Sequence, residues 1–102
     1  MQEIDIHRLE QEMDRGNATV VDVRERMEWA VGHVPGVLNI PMGQLSARLG
    51  EIPRNRPVYV ICQTGNRSRS MTEFLTAQGY DAANVAGGTT AWARANRPIE
   101  KG

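Results

Sequence analysis

A single cysteine, Cys62, stands in the 102 residues, and that scarcity excludes an internal disulfide and any zinc site built from cysteines. The thiol therefore works alone or with a partner molecule, and no metal centre is expected. Net charge is missing as well. Twelve basic and twelve acidic side chains cancel, so no bulk field draws the chain to nucleic acid or to an anionic membrane, and any preference for anions must be local. The apolar runs are only a few residues long, far short of the roughly 20 needed to span a bilayer. The N-terminus, Met1-Gln2-Glu3-Ile4-Asp5, has neither the basic start nor the apolar core of a secretory signal, which sets the expectation of a cytoplasmic protein. Internal repeats, low-complexity segments and linkers are absent too. One domain over residues 1–102 follows, of a size that buries about 60 to 70% of the surface its unfolded chain exposes.

What is present is an alternation of short apolar runs and amphipathic stretches. Asp5 suits an N-cap, and Ile6, Leu9 and Met13 give the helix after it one apolar face, with Gly16 as its stop. Ala18 to Val23 is β-branched and unbroken by polar residues until Asp22, as in a strand covered on both faces. A helix of about two turns is expected over 26–31. A short strand follows over 37–40, then a small helix over 42–49 with Leu45 and Leu49 inward, and a loop marked by Gly50, Pro53, Asn55 and Pro57. Val58 to Ile61 reads as a second buried strand, and 67–78 as a helix with Met71, Phe74, Leu75 and Gln78 on one face and Gly79 as its stop. The spacing then predicts a strand within 80–85, a turn at Gly87-Gly88, and a last helix over 90–95 carrying Trp92, with Pro98 ending regular structure. With no Asn-Gly hairpin signal between strands, the expected class is α/β with a parallel sheet.

The chemistry concentrates in Cys62-Gln63-Thr64-Gly65-Asn66-Arg67-Ser68, between the second buried strand and the helix after it. A thiol placed there faces the helix's unpaired N–H groups, which lower its pKa and stabilise anions beside it. Thr64, Gly65 and Ser68 are small enough for the backbone to curl into a cradle of inward amides. A lone cysteine flanked by Val, Leu and Phe is by default a buried structural residue, but this polar, Arg-bearing flank argues otherwise. Three anion-related tasks fit: sulfur transfer through a cysteine persulfide, phosphoryl transfer through a cysteinyl phosphate, or anion binding alone. Cysteine phosphatases share a loop of Cys, five residues and Arg that wraps a phosphate. Here the corresponding position is Ser68, with Arg67 one residue early and Arg69 one residue late. The tighter cradle suits the outer sulfur of a persulfide better than a phosphate.

Four blocks together resemble the single-domain rhodaneses, thiosulfate-type sulfurtransferases. They are Val20-Val21-Asp22-Val23-Arg24-Glu25; Gly32 to Pro41, reading Gly-His-Val-Pro-Gly-Val-Leu-Asn-Ile-Pro; Cys62 to Ser68; and Gly87-Gly88-Thr89-Thr90-Ala91-Trp92. The resemblance implies a three-layer α/β fold, a small parallel sheet of about five strands with helices on both faces. It also implies a reaction in which the Cys62 thiolate takes the outer sulfur of thiosulfate or another persulfide donor. Cyanide, a thiol or a protein then removes it, with no cofactor beyond the transient persulfide. Backbone amides from Gln63 through Thr64, Gly65, Asn66 and Arg67 to Ser68 are the implied substrate cradle, and Arg67, with Arg69 or Arg24 as further candidates, the implied attractor of a dianionic donor. Neutral Gln63 and Thr64 stand where larger rhodaneses often carry basic residues, which leaves room for a thiol or protein persulfide as donor. A non-enzymatic persulfide carrier or sensor is the alternative, followed by a phosphatase or arsenate reductase on the same fold.

Other polar residues carry plainer readings. Asp22 is expected to fasten a neighbouring loop through backbone amides. His33 belongs to the structural Gly-His block, His7 to a surface, Trp29 and Trp92 to core or pocket rim, and the five methionines to packing, with Met42 and Met71 near the site.

Overall fold

Five strands and four α-helices make up the computed structural model, which describes residues 1–102. In chain order they are β1 (Gln2–Ile4), α1 (Ile6–Asp14), β2 (Thr19–Asp22), α2 (Arg26–Val31), β3 (Leu38–Asn39), β4 (Val58–Ile61), α3 (Asn66–Ala77), β5 (Ala82–Val85) and α4 (Gly88–Arg94). All pairings are parallel, in the order β1-β5-β4-β2-β3. The three inner strands are buried along their whole length. Their side chains alternate between two cores, as the two-residue period of a strand requires. Val21, Val58 and Val60 face Leu45, Ile52 and Leu75, while Val20, Tyr59 and Ile61 face Leu9, Val85 and Trp92. Helices therefore cover both faces: α3 and the segment after β3 on one, α1 and α4 on the other. Each fully buried Leu, Ile or Val contributes about 1.5–3 kcal/mol relative to exposure. No helix is long and apolar enough to cross a membrane.

Asp5 caps α1 as expected, its Oδ1 accepting the Arg8 amide at 2.8 Å. Other expectations need correction. β1 lies in an N-terminal stretch for which no strand was expected; its exposed Gln2 and Glu3 show no apolar alternation, and it exists because its backbone pairs with β5. The expected helix over 42–49 is instead two 3-10 segments, Met42–Gln44 and Ser46–Glu51, broken at Arg48, although Leu45 is fully buried and Leu49 packs on the core. Gln78 lies exposed at the C-cap of α3 rather than on its apolar face. Gly87-Gly88 is more than a turn, since α4 begins at Gly88. Beyond Pro98 the chain still pairs, Glu100 forming an antiparallel bridge with His33.

Because the strands are parallel, the segments leaving β2, β4 and β5 emerge along one edge of the sheet. Arg24, Cys62 and Gly87-Gly88 are thereby brought together from distant parts of the chain. This edge is where open α/β sheets place their ligands.

Candidate active site

Cys62 leaves the end of β4 only 1% exposed. The chain then turns through Gly65, the N-cap of α3, at a φ of +104° that an L side chain adopts only with strain. This turn brings the Gly65 amide to 3.1 Å from the Cys62 Sγ. Burial pushes the thiol up; against it the Ser68 hydroxyl and the amides of Ser68, Gly65 and Thr64 favour the thiolate, and the net effect holds Cys62 below the ordinary thiol value. Of the amides in the expected cradle, that of Gly65 is in hydrogen-bond contact with the sulfur, and those of Thr64 and Ser68 favour its charged form.

Ser68 Oγ has one proton and two acceptors in reach, Asn84 Oδ1 at 2.5 Å and Cys62 Sγ at 3.3 Å. Asn84, fully buried on β5, also donates through Nδ2 to the Gly65 carbonyl at 3.2 Å and to Glu3 on β1 at 2.9 Å. It holds both the cradle and the serine in place. The sequence reading missed it, although one amide inside the apolar run Ala82-Ala83-Asn84-Val85 was an available signal, since buried polar groups have partners.

The other side of the loop rests on α4. Thr89 N donates to the Cys62 carbonyl at 2.9 Å and Thr90 N to the Gln63 carbonyl at 3.0 Å. So the first amides of the helix are satisfied by the carbonyls of the loop. A Cβ on Gly88 would collide with the carbonyl oxygens of both Cys62 and Gln63, which is why the second glycine of the pair stands there.

Asp22 is fully buried and Arg24 3% exposed. The carboxylate accepts the Arg24 amide at 3.0 Å, fastening the turn after β2 as expected, and also pairs with the guanidinium, Nη2 to Oδ2 at 2.9 Å. Arg24 further donates to the Gly32 carbonyl at 2.8 Å and to Gln63 Oε1 at 3.1 Å. Gln63 in turn donates through Nε2 to Thr90 Oγ1 at 2.8 Å. Arg24 thus braces the loop from beneath with its charge already neutralised.

Arg67 points to α2, where it grips Glu28 with two bonds of 2.7 and 2.8 Å. That grip, reinforced by the Glu25 amide and opposed by partial burial, holds the Glu28 carboxyl at about 2. Arg69 is exposed and leans toward Glu3 at 3.5 Å, and the Thr64 and Asn66 side chains face solvent. Two grooves flank the loop. One, of about 490 Å³, runs past Gln63 between α2, α4 and the C-terminal segment; the other, of about 510 Å³, runs past Thr64 and Gly87. Arg94 borders both, and nothing in its local sequence pointed to it.

His33 lies outside these grooves, stacked on Trp29 at 4.0 Å between ring centres with Nδ1 2.8 Å from the Trp29 carbonyl. His7 is exposed, and Trp92 is buried with Nε1 donating to the Pro98 carbonyl at 2.7 Å. Met42 and Met71 share a separate cavity with Leu45 and Phe74. No three His, Cys, Asp or Glu side chains converge on a common point.

Fold and loop together define a class: a parallel α/β domain that holds one cysteine sulfur in an amide cradle at a helix N-terminus. The rhodanese-like domain model matches residues 5–95, and the chain belongs to that family. It is similar to a protein of Allochromatium vinosum named "Sulfurtransferase", 39% identical over 99 residues that cover 95% of this chain and 92% of the relative. It also resembles the Bacillus subtilis "Putative sulfur carrier protein YrkF", 34% identical over 88% of this chain but spanning only 50% of that relative. Among solved structures, a rhodanese-related protein from Thermoplasma volcanium superposes with a TM-score of 0.91 at 31% identity over 98% of both chains.

Proposed function

We propose that the chain is a sulfurtransferase that carries sulfane sulfur as a persulfide on Cys62. The observation that supports it best is the Cys62 Sγ itself, buried yet held toward the thiolate by the Gly65 amide at 3.1 Å and the Ser68 hydroxyl. In the first half-reaction the thiolate attacks the outer sulfur of the donor. A bond forms from Sγ to that sulfur while the donor's bond to it breaks, S–S in thiosulfate or a persulfide and C–S in mercaptopyruvate, the electron pair leaving with sulfite when the donor is thiosulfate. In the second, an acceptor attacks the outer sulfur, the bond to Sγ breaks, and Cys62 leaves as the thiolate. The amides of Thr64, Gly65 and Ser68 hold the negative charge throughout, so neither step needs a base to take a proton from Cys62. That agrees with a His33 committed to Trp29. Thiosulfate or another persulfide is the donor, and cyanide, a thiol or a protein the acceptor.

A carrier that loads sulfur but turns over poorly without its partner is the second reading, favoured by the relative named as a sulfur carrier, which has about twice the length matched here. The test is intact mass after incubation with thiosulfate, glutathione persulfide or mercaptopyruvate, followed by cyanide and an assay of thiocyanate. Sulfur transfer predicts one added sulfur on Cys62, its loss to cyanide, and neither event in Cys62→Ser. Loading with little turnover selects the carrier. Failure to load with every donor overturns both.

A further inference from the structure

The cation that loop spacing singles out is already occupied. Arg67 is bound bidentately by Glu28, Arg24 is neutralised by Asp22, and Arg69 has Glu3 within 3.5 Å. Arg94, the last residue of α4, has no carboxylate within ion-pair distance and no side-chain hydrogen bond, and it borders both grooves beside the loop. Since α4 rests on the carbonyls of Cys62 and Gln63 through the amides of Thr89 and Thr90, the four to five residues on to Arg94, at about 1.5 Å each, place its backbone roughly 6–8 Å along the helix axis from that contact. The groove of about 490 Å³ runs past Gln63 toward it, with Val31, Ala93 and Ile99 supplying an apolar wall. That volume falls in the range of sites for organic molecules. Thiosulfate, a handful of atoms, leaves most of it empty.

We propose that Arg94 is a specificity-determining residue that binds the carboxylate of an organic thiol or its persulfide, whose carbon skeleton lies along the apolar wall and whose sulfur reaches Cys62. The inference rests on the sulfur-transfer reading above. In the acceptor direction the thiolate sulfur bonds to the outer sulfur of the persulfide, the Sγ–S bond breaks with its electron pair returning to Cys62, and the acceptor's proton has already gone to solvent. Arg94 takes no part in bond making and acts on binding.

The test uses protein whose loaded Cys62 is verified by intact mass, reacted with two thiols of similar length, mercaptopropionate (anionic) and mercaptoethanol (neutral). Arg94→Gln is expected to raise the half-saturating concentration of mercaptopropionate about tenfold, the effect of losing one charge-assisted contact, with little change in maximal rate, and to leave mercaptoethanol within about twofold. Arg94→Lys is expected to recover most of the loss. Arg56→Gln removes the same charge from the opposite end of β4 and is expected to change neither thiol. An equal effect of Arg94→Gln on both thiols, or none on either, overturns the proposal. If Cys62 cannot be loaded at all, the sulfur-transfer reading fails, and this proposal fails with it.

Discussion

Gly88→Ala tests whether the contact between α4 and the Cys62 loop shapes the site. Gly88 sits at a φ of +57°, and a Cβ there would lie 2.7 Å from the Gln63 carbonyl oxygen and closer still to that of Cys62. The left-handed conformation alone costs a residue with a side chain about 1–2 kcal/mol. The collision is with backbone on the loop side, so no rotamer change relieves it. Moving α4 away weakens the bonds from Thr89 N to Cys62 O at 2.9 Å and from Thr90 N to Gln63 O at 3.0 Å, each worth about 1 kcal/mol net. Together these amount to roughly 3–4 kcal/mol. With a urea m-value of about 1.5 kcal/mol/M, the unfolding midpoint falls by about 2 M, followed through the fluorescence of the two tryptophans, of which Trp92 is on α4 itself. The rate of Cys62 alkylation is expected to change in parallel, because the Cys62 carbonyl is one of the displaced acceptors. Gly50→Ala is the control: a Cβ there meets nothing within 4 Å, so its midpoint stays put or rises slightly. A Gly88→Ala protein with the midpoint and alkylation rate of the parent would refute the reasoning.

Two further outcomes are expected from named contacts. Ser68→Ala removes the hydroxyl 3.3 Å from Sγ while burial remains, so the pH midpoint of Cys62 alkylation should move upward, and a midpoint that stays or falls shows that the serine does not support the thiolate. Glu28, held at about 2 in the folded protein against an ordinary 4.5, stabilises the fold fully above pH 4.5 and loses that contribution as pH falls toward 2. Both partners are 36% exposed, so solvent screening limits the pair to about 1 kcal/mol or less. Urea midpoints of the parent and Glu28→Gln should therefore differ modestly at neutral pH and converge on acidification; a difference that grows toward pH 2 contradicts the assigned pair.

Most of the fold was legible because its inner strands are dense in β-branched residues. Thr19–Asp22 and Val58–Ile61 are buried on both faces, and only parallel strands between helical layers are routinely so apolar. β1 was not legible, since Gln2 and Glu3 remain exposed and only their backbone pairing with β5 makes a strand of them. The 3-10 segments escaped for another reason: Leu45 and Leu49 fit one apolar helix face and both reach the core, and nothing in that spacing marks the non-helical backbone at Arg48. At the site, Cys62, Gly65 and Ser68 could be read from one stretch because their contacts span at most six residues. Arg94 could not, because what distinguishes it is what it faces; Asn84 left a signal as a lone amide in an apolar run, but its partners Ser68, Gly65 and Glu3 lie 16, 19 and 81 residues away.

The sequence by itself thus determined the order of four of the five strands and of the four α-helices, the place of the only thiol at the end of a buried strand, and a loop one residue shorter than a phosphate cradle. These depend on interactions between near neighbours, where spacing and residue type suffice. Tertiary structure alone decided which charges remain free. Arg67 meets Glu28 across 39 residues, Gln63 meets Arg24 across another 39, and Asn84 meets Glu3 across 81. Electrostatic pairing depends on distance in space, and the parallel sheet sets that distance by bringing the ends of β2, β4 and β5 to one edge. The arginine nearest the cysteine in sequence is thereby neutralised, and one 32 positions away, Arg94, is left with its charge uncompensated beside the loop.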